Sequence, residues 1–388
     1  MFSSRLPPNA APNALAHRLE TLRAANLEII DLTESNPTSA GFAYSPTILA
    51  DLAAPAALRY VPSPLGVKSA RETVAADYVR RGALVNPDDV VLTSSTSEGY
   101  SWLFKLLCDP GEGVLVPRPS YPLFEHLTRL DSVTTQPYDL NYHGRWEIDF
   151  PSLEGAVDRG TRAILVVSPN NPTGSYVSRT EAARLLEVCE THGVALIVDE
   201  VFVDYSLEAP HDRATDITAQ DRVLAFSLGG LSKSAGLPQL KLGWIVVGGP
   251  AESRRAALGA LELIADSYLS VSTPVQVAAP ALIAGAHEIR GQIHDRVRTN
   301  LAQLRQVAAR YPACRVLPVE GGWYAVVRVP AIRSEETLIL DLLDRERILV
   351  HPGYFFDFPR EAYVVVSLLP DADAFADATA RMLHLAVS

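Results

Sequence analysis

The chain has 388 residues, 48% of them apolar, and carries 34 basic against 45 acidic side chains for a formal net charge of −11. That length predicts two or three domains, and an acidic balance without a basic block argues against nucleic acid or anionic membranes as partners. No run approaches the roughly 18 apolar residues of a membrane span and the first residues lack a signal-peptide core, so a cytoplasmic protein is expected.

Asn13 to Asn26 reads as an amphipathic helix and Leu27 to Leu32 as a short strand. The turn Thr33-Glu-Ser-Asn-Pro-Thr38 follows, where Asn36 suits an Asx turn. Tyr60-Val-Pro-Ser-Pro-Leu-Gly66 is a loop before a helix that begins near Val67. Val90 to Thr93 is a strand, and Ser94-Ser-Thr-Ser-Glu98 opens a helix running to about Leu107. Free N–H groups and hydroxyls at a helix start make an anion seat, although a serine there also serves as a plain cap. Gly113 to Pro117 is the next strand, with Tyr121 in the loop after it. Cys108, Cys189 and Cys314 show no metal or redox spacing and read as reduced thiols, and no metal site is expected.

Three later segments carry the chemistry. The apolar run Ala163 to Val167 leads into Ser168-Pro-Asn-Asn-Pro-Thr-Gly174, and Val194 to Val198 ends on Asp199. Between the runs 223–227 and 242–247 lies a loop of glycines and serines that holds Lys233. A lysine in such a bend between buried strands loses hydration, which makes its amine nucleophilic toward an aldehyde: a Schiff-base site. Asn171, Asp199 and Lys233 all come after predicted parallel strands, whose carboxyl ends form the ligand crevice of an open α/β sheet. Thr273 to Ala313 then reads as a long helix, and strands at 314–317, 321–329 and 363–368 with a helix at 334–345 read as an α+β unit. The aromatic cluster Tyr354 to Phe358 suits either a pocket wall or a core.

In order and spacing these motifs resemble the fold type I pyridoxal-phosphate enzymes of the class I/II aminotransferase group, over nearly the whole chain. The resemblance implies an α/β fold with a mostly parallel seven-stranded sheet flanked by helices, plus a smaller α+β domain. It divides the chain into an N-terminal segment 1–45 joining the small domain, a large domain 46–285 and a small domain 286–388. It implies a homodimer in which Tyr60 reaches the neighbouring cofactor. Lys233 would carry the Schiff base and shuttle the proton, with Asp199 keeping the pyridine nitrogen protonated. Asn171 would donate to the phenolic oxygen and Tyr121 would stack on the ring. Ser95, Thr96, Ser97, Ser232, Lys241 and the neighbour's Tyr60 would hold the phosphate, and Ser35 and Asn36 would approach the substrate.

The chain departs from the family pattern where Phe202 replaces a tyrosine, leaving Asn171 on the phenolic oxygen alone or with Tyr205. Lys241 replaces an arginine, and Gly230 a hydroxyl residue. Val365 stands where relatives carry the arginine that forks onto the substrate carboxylate, which leaves Arg360 as the nearest candidate. The expected activity moves an amino group between an amino acid and a 2-oxo acid. Lyase or cyclase chemistry on the same cofactor is the alternative, and an effector-sensing domain of a transcription regulator is a more distant one.

Overall fold

The structure, a computed structural model, describes residues 2–7, 13–208 and 210–388. Helix α1 (Ala14–Ala24) and strand β1 (Ile30–Asp31) precede α2 (Lys68–Arg80) and β2 (Val90–Thr93). Then come α3 (Thr96–Leu107), β3 (Gly113–Arg118), α4 (Leu123–Leu130), β4 (Thr134–Tyr142) and β5 (Trp146–Ile148). Next are α5 (Phe150–Ala156), β6 (Thr161–Val167), α6 (Arg179–His192), β7 (Ala195–Asp199) and β8 (Ala225–Gly230). The one-turn α7 (Leu231–Ser234), β9 (Gly243–Gly248), α8 (Ala251–Tyr268) and α9 (Thr273–Ala308) follow. The remainder adds β10 (Arg315–Val316), β11 (Tyr324–Arg328), α10 (Glu335–Asp341), β12 (Ile348–Leu349), β13 (His351–Pro352), β14 (Tyr363–Ser367) and α11 (Ala372–Val387).

The large sheet runs β2-β9-β8-β7-β6-β3-β4-β5. Its central strands are parallel, from β8 through β4, while β9 and β5 pair antiparallel with their neighbours. The sheet has eight strands where the family pattern implies seven. The short β5 belongs to it because Gly144, at φ 100°, turns the chain back on β4, a conformation that costs glycine little. Parallel strands buried on both faces explain the unbroken apolar runs. Ile164 and Val166 of β6 face one core together with α6, whereas Ala163, Leu165 and Val167 face the other with Leu103, Phe104 and Leu261. Helix α6 starts where Ser178 and Glu181 form a reciprocal capping box, and it stops at left-handed Gly193.

The smaller sheet runs β10-β11-β14-β13, with α11 packed on α9 beside it. The N-terminal segment joins this region: β1 pairs in parallel with β12, and Ser367 N–H donates to the Leu32 carbonyl. The strand expected over 27–32 is thus only two residues long, because a single neighbour supports it. The long helix ends at Ala308, short of the expected 313, since Pro312 disfavours helix in the residue before it. Helix α9 also crosses residue 285, where the domain boundary was expected, without interruption.

One glycine fixes the distance between the sheet and α3. A Cβ on Gly243 would lie 2.9 Å from the Ser95 carbonyl carbon and 3.1 Å from the Thr96 nitrogen. Gly243→Ala is therefore expected to push the start of α3 off the sheet and to cost about 1–3 kcal/mol, the usual penalty of overpacking. Chemical denaturation should show it as a lower midpoint at an unchanged slope.

Candidate active site

Strands β6, β7 and β8 lie side by side and parallel, so the residues at their carboxyl ends must meet. Asp199 is the last residue of β7, Lys233 sits in the turn of helix directly after β8, and Asn171 lies in the loop after β6. All three line one cavity of about 140 Å³. Ser35, Thr96, Ser97, Tyr121 and Ser232 line it with them. A wider cleft of about 410 Å³ adjoins it across Tyr121 and Phe124 but contains neither Lys233 nor Asp199.

Other expected residues are engaged elsewhere. The Ser95 hydroxyl accepts the Glu98 N–H at 3.1 Å, so it caps α3 while Thr96 and Ser97 face the cavity. Asn36 is exposed, and its side chain closes a local turn through Thr38 and Ser39. Lys241 is exposed at a left-handed backbone position, and Arg360 is exposed; neither lines the cavity. Tyr60 is 66% exposed, in the open beside Leu58 and Val61. Tyr205 is fully buried and donates to the Lys233 carbonyl at 2.6 Å, which commits its hydroxyl to the lysine's backbone.

Burial sets the charges. Desolvation pushes the Lys233 amine down to about 8, with the Asp199 carboxylate pulling the other way. The ammonium lies 4.7 Å from the Trp323 ring centre and 5.4 Å from that of Phe202. Burial likewise raises Asp199, opposed by its hydrogen bonds and by Lys233. Those bonds come from the Tyr100 hydroxyl to Oδ2 at 2.6 Å and from the Val201 N–H to Oδ1 at 3.0 Å. The carboxylate is thereby fixed at both oxygens.

Tyr100 and Tyr324 were missed in the sequence. Tyr100 stands one helical turn after Thr96, on the same face of α3, which is a signal the spacing did offer. Tyr324 leaves no such trace, because only the packing of β11 beside the turn after β1 brings it to the cavity. The apolar wall of Leu123, Phe124 and Leu127 comes from α4, a helix that the sequence reading passed over.

A lysine with lowered basicity, a fixed carboxylate and a helix start converge at the carboxyl ends of a parallel sheet. This is an α/β fold with a buried amine of lowered basicity in the crevice where such sheets bind ligands. The profile of aminotransferase class I and II matches residues 28–373, and the chain belongs to that family and is an aminotransferase. It is 30% identical over 381 residues to an alanine aminotransferase of Mycobacterium tuberculosis, covering 95% of this chain and 87% of the relative. It is 25% identical over 364 residues to the glutamate-pyruvate aminotransferase AlaA of Haemophilus influenzae, covering 92% and 90%. Among solved structures, the alanine aminotransferase from Pyrococcus furiosus shares the fold with a TM-score of 0.86 at 22% identity, covering 99% of this chain and 100% of that one. Among the described residues no helix is long and apolar enough to cross a membrane.

Proposed function

We propose that the cavity holds pyridoxal 5'-phosphate and that the chain moves amino groups between an amino acid and a 2-oxo acid. The observation that carries this reading is the shared cavity of Lys233, Asp199 and the α3 N-terminus. The Asn171 amide also suits the group, because it lines the same cavity and its Nδ2, the donor, has no acceptor among the described residues. When bound, the cofactor supplies an aldehyde for the substrate amine and an electron-poor ring that stabilises a carbanion.

The residues divide the remaining work. Lys233 holds the cofactor, then removes the proton from the substrate α-carbon and returns it on the other side of the reaction. Asp199 holds a proton on the ring nitrogen, and Tyr121 covers the ring. Thr96, Ser97 and Ser232 offer hydroxyls, with first-turn N–H groups of α3, to the phosphate. In this reading Lys241 joins them from the same chain and Tyr60 from the neighbouring one in a homodimer, a state that the exposed Leu58, Tyr60 and Val61 favour. A cytoplasmic location remains part of this reading. Tyr100→Phe removes the hydroxyl that fixes Asp199 and is expected to lower kcat roughly tenfold, the worth of one hydrogen bond to a charged group. Steady-state kinetics beside a cofactor titration checks it.

The test of the whole reading is reconstitution with pyridoxal phosphate followed by single amino acids. Alanine comes first, since relatives are named for it. Transamination predicts a visible band that the donor discharges with one equivalent of 2-oxo acid. Release of ammonia with the band restored would instead favour lyase chemistry. No band at all would sink both.

A further inference from the structure

Among the described residues that line the cavity there is one cation, Lys233, and one carboxylate, Asp199. An amino acid brings a second carboxylate, and an anion leaving water needs a cation or hydrogen-bond donors. Among the described residues no guanidinium lines the cavity. Arg360 is exposed, and Arg118 is bound to Asp139 through Nε at 2.8 Å and Nη2 at 2.6 Å. Val365 is fully buried.

The small sheet shows which residue reaches the cavity instead. Its register sets Tyr324 opposite Ser367 and Val326 opposite Val365, so Tyr324 and Val365 share one face as diagonal neighbours. The valine is absent from the cavity lining; the tyrosine is part of it, and so is Ser35 from the turn after β1. Burial pushes the Tyr324 hydroxyl up to about 12, with the neighbouring Ser35 hydroxyl opposing, so it remains a donor across the neutral range. The Phe202 ring packs edge-on against the Tyr324 ring, centre to centre at 6.3 Å, and its centre lies 5.4 Å from the Lys233 amine, so one ring stands between the Tyr324 ring and that nitrogen. His351 faces Val365 across the same sheet, but burial pushes it down to about 4 and leaves it uncharged.

We propose that the hydroxyls of Tyr324 and Ser35 receive the substrate carboxylate, a neutral clamp in place of a guanidinium. The assignment rests on the aminotransferase reading and adds to it the group that orients the amino acid. Neutral donors bind a carboxylate less tightly than a bidentate arginine does, so the clamp implies weak substrate binding without a slower chemical step. Both residues touch substrate and neither touches the proton in flight.

The experiment compares the reconstituted wild type with Tyr324→Phe, Ser35→Ala and the double variant. KM and kcat are measured for L-alanine with 2-oxoglutarate as acceptor. The dissociation constant of pyridoxal phosphate is measured for each protein, and each is exposed to isopropylamine, which carries a methyl group where alanine has its carboxylate. Tyr324→Phe should raise the alanine KM about tenfold or more and the double variant about a hundredfold, with kcat within twofold. Cofactor affinity and the rate with isopropylamine should be the same in all four proteins. An unchanged alanine KM in both Tyr324→Phe and the double variant overturns the clamp. A loss that falls equally on isopropylamine or on cofactor affinity overturns it too, because the residues would then be structural. If the reconstituted wild type shows no visible band, it is the aminotransferase reading of this site that fails, and the clamp falls with it.

Discussion

Lys233→Ala is expected to leave a folded chain that takes up pyridoxal phosphate without a visible lysine-bound band and transaminates roughly 10⁴-fold more slowly or worse, the loss expected when an acid–base group and a covalent anchor go together. The direction comes from where the amine sits. Desolvation pushes it down to about 8 from 10.5, so it loses its proton, and becomes nucleophilic, well below the pH an ordinary lysine requires. Capture of the cofactor by the wild-type apoenzyme should therefore accelerate as pH rises through about 8 and then level off. Stopped-flow absorbance across pH 6 to 10 reads this directly; a rate still climbing at pH 10 would mean that the amine is solvated. An added small amine such as methylamine should restore part of the Lys233→Ala rate, which separates a lost proton carrier from a misfolded site.

Asp199→Asn carries the second largest effect. The carboxylate stands at the end of β7 with one oxygen on Tyr100 and the other on the Val201 N–H, and both bonds favour its charged form against the burial that opposes it. The amide cannot hold a proton on the ring nitrogen, so proton removal from the substrate should slow roughly 10²- to 10³-fold, the size of a shift of two or so pK units in that nitrogen. Stability should move the other way. A buried Asp whose ionisation is raised in the folded state costs stability once the pH exceeds its unfolded value, and neutral pH lies above it. The apoenzyme of Asp199→Asn should thus melt higher than the wild type at pH 7 and lose that advantage in acid. A variant that is both slower and less stable would indicate a broken fold instead of a lost charge.

The sequence announced the residues of both predictions. Lys233 and Asp199 each come after an apolar run, and a run of that length ending in a polar residue is legible from spacing alone. Thr96 and Ser97 were legible in the same way, as hydroxyls at a helix start. Ser95 stood in the same string of hydroxyls, yet its side chain turned inward as a cap, a choice made by the backbone geometry of the first turn. Arg360 and Lys241 were named by their position beside a motif, and nearness along the chain does not decide which way a side chain faces. Phe202 and Trp323 show the reverse. Neither carries a polar signal, yet together they form the apolar floor over which the Lys233 amine lies.

What the amino-acid order determined by itself was local and periodic: the buried strands, the helix starts, and the polar residues placed where strands end. These depend on interactions within a few residues, so they can be read one segment at a time. The tertiary structure alone decided which distant segments close the cavity. The turn after β1, the start of α3, the face of α4 and Tyr324 of β11 come from separate parts of the chain, and they meet only because both faces of the large sheet and the small sheet beside it must be covered. Burial by those segments is also what lowers the basicity of Lys233, a property that no lysine carries in its own covalent structure.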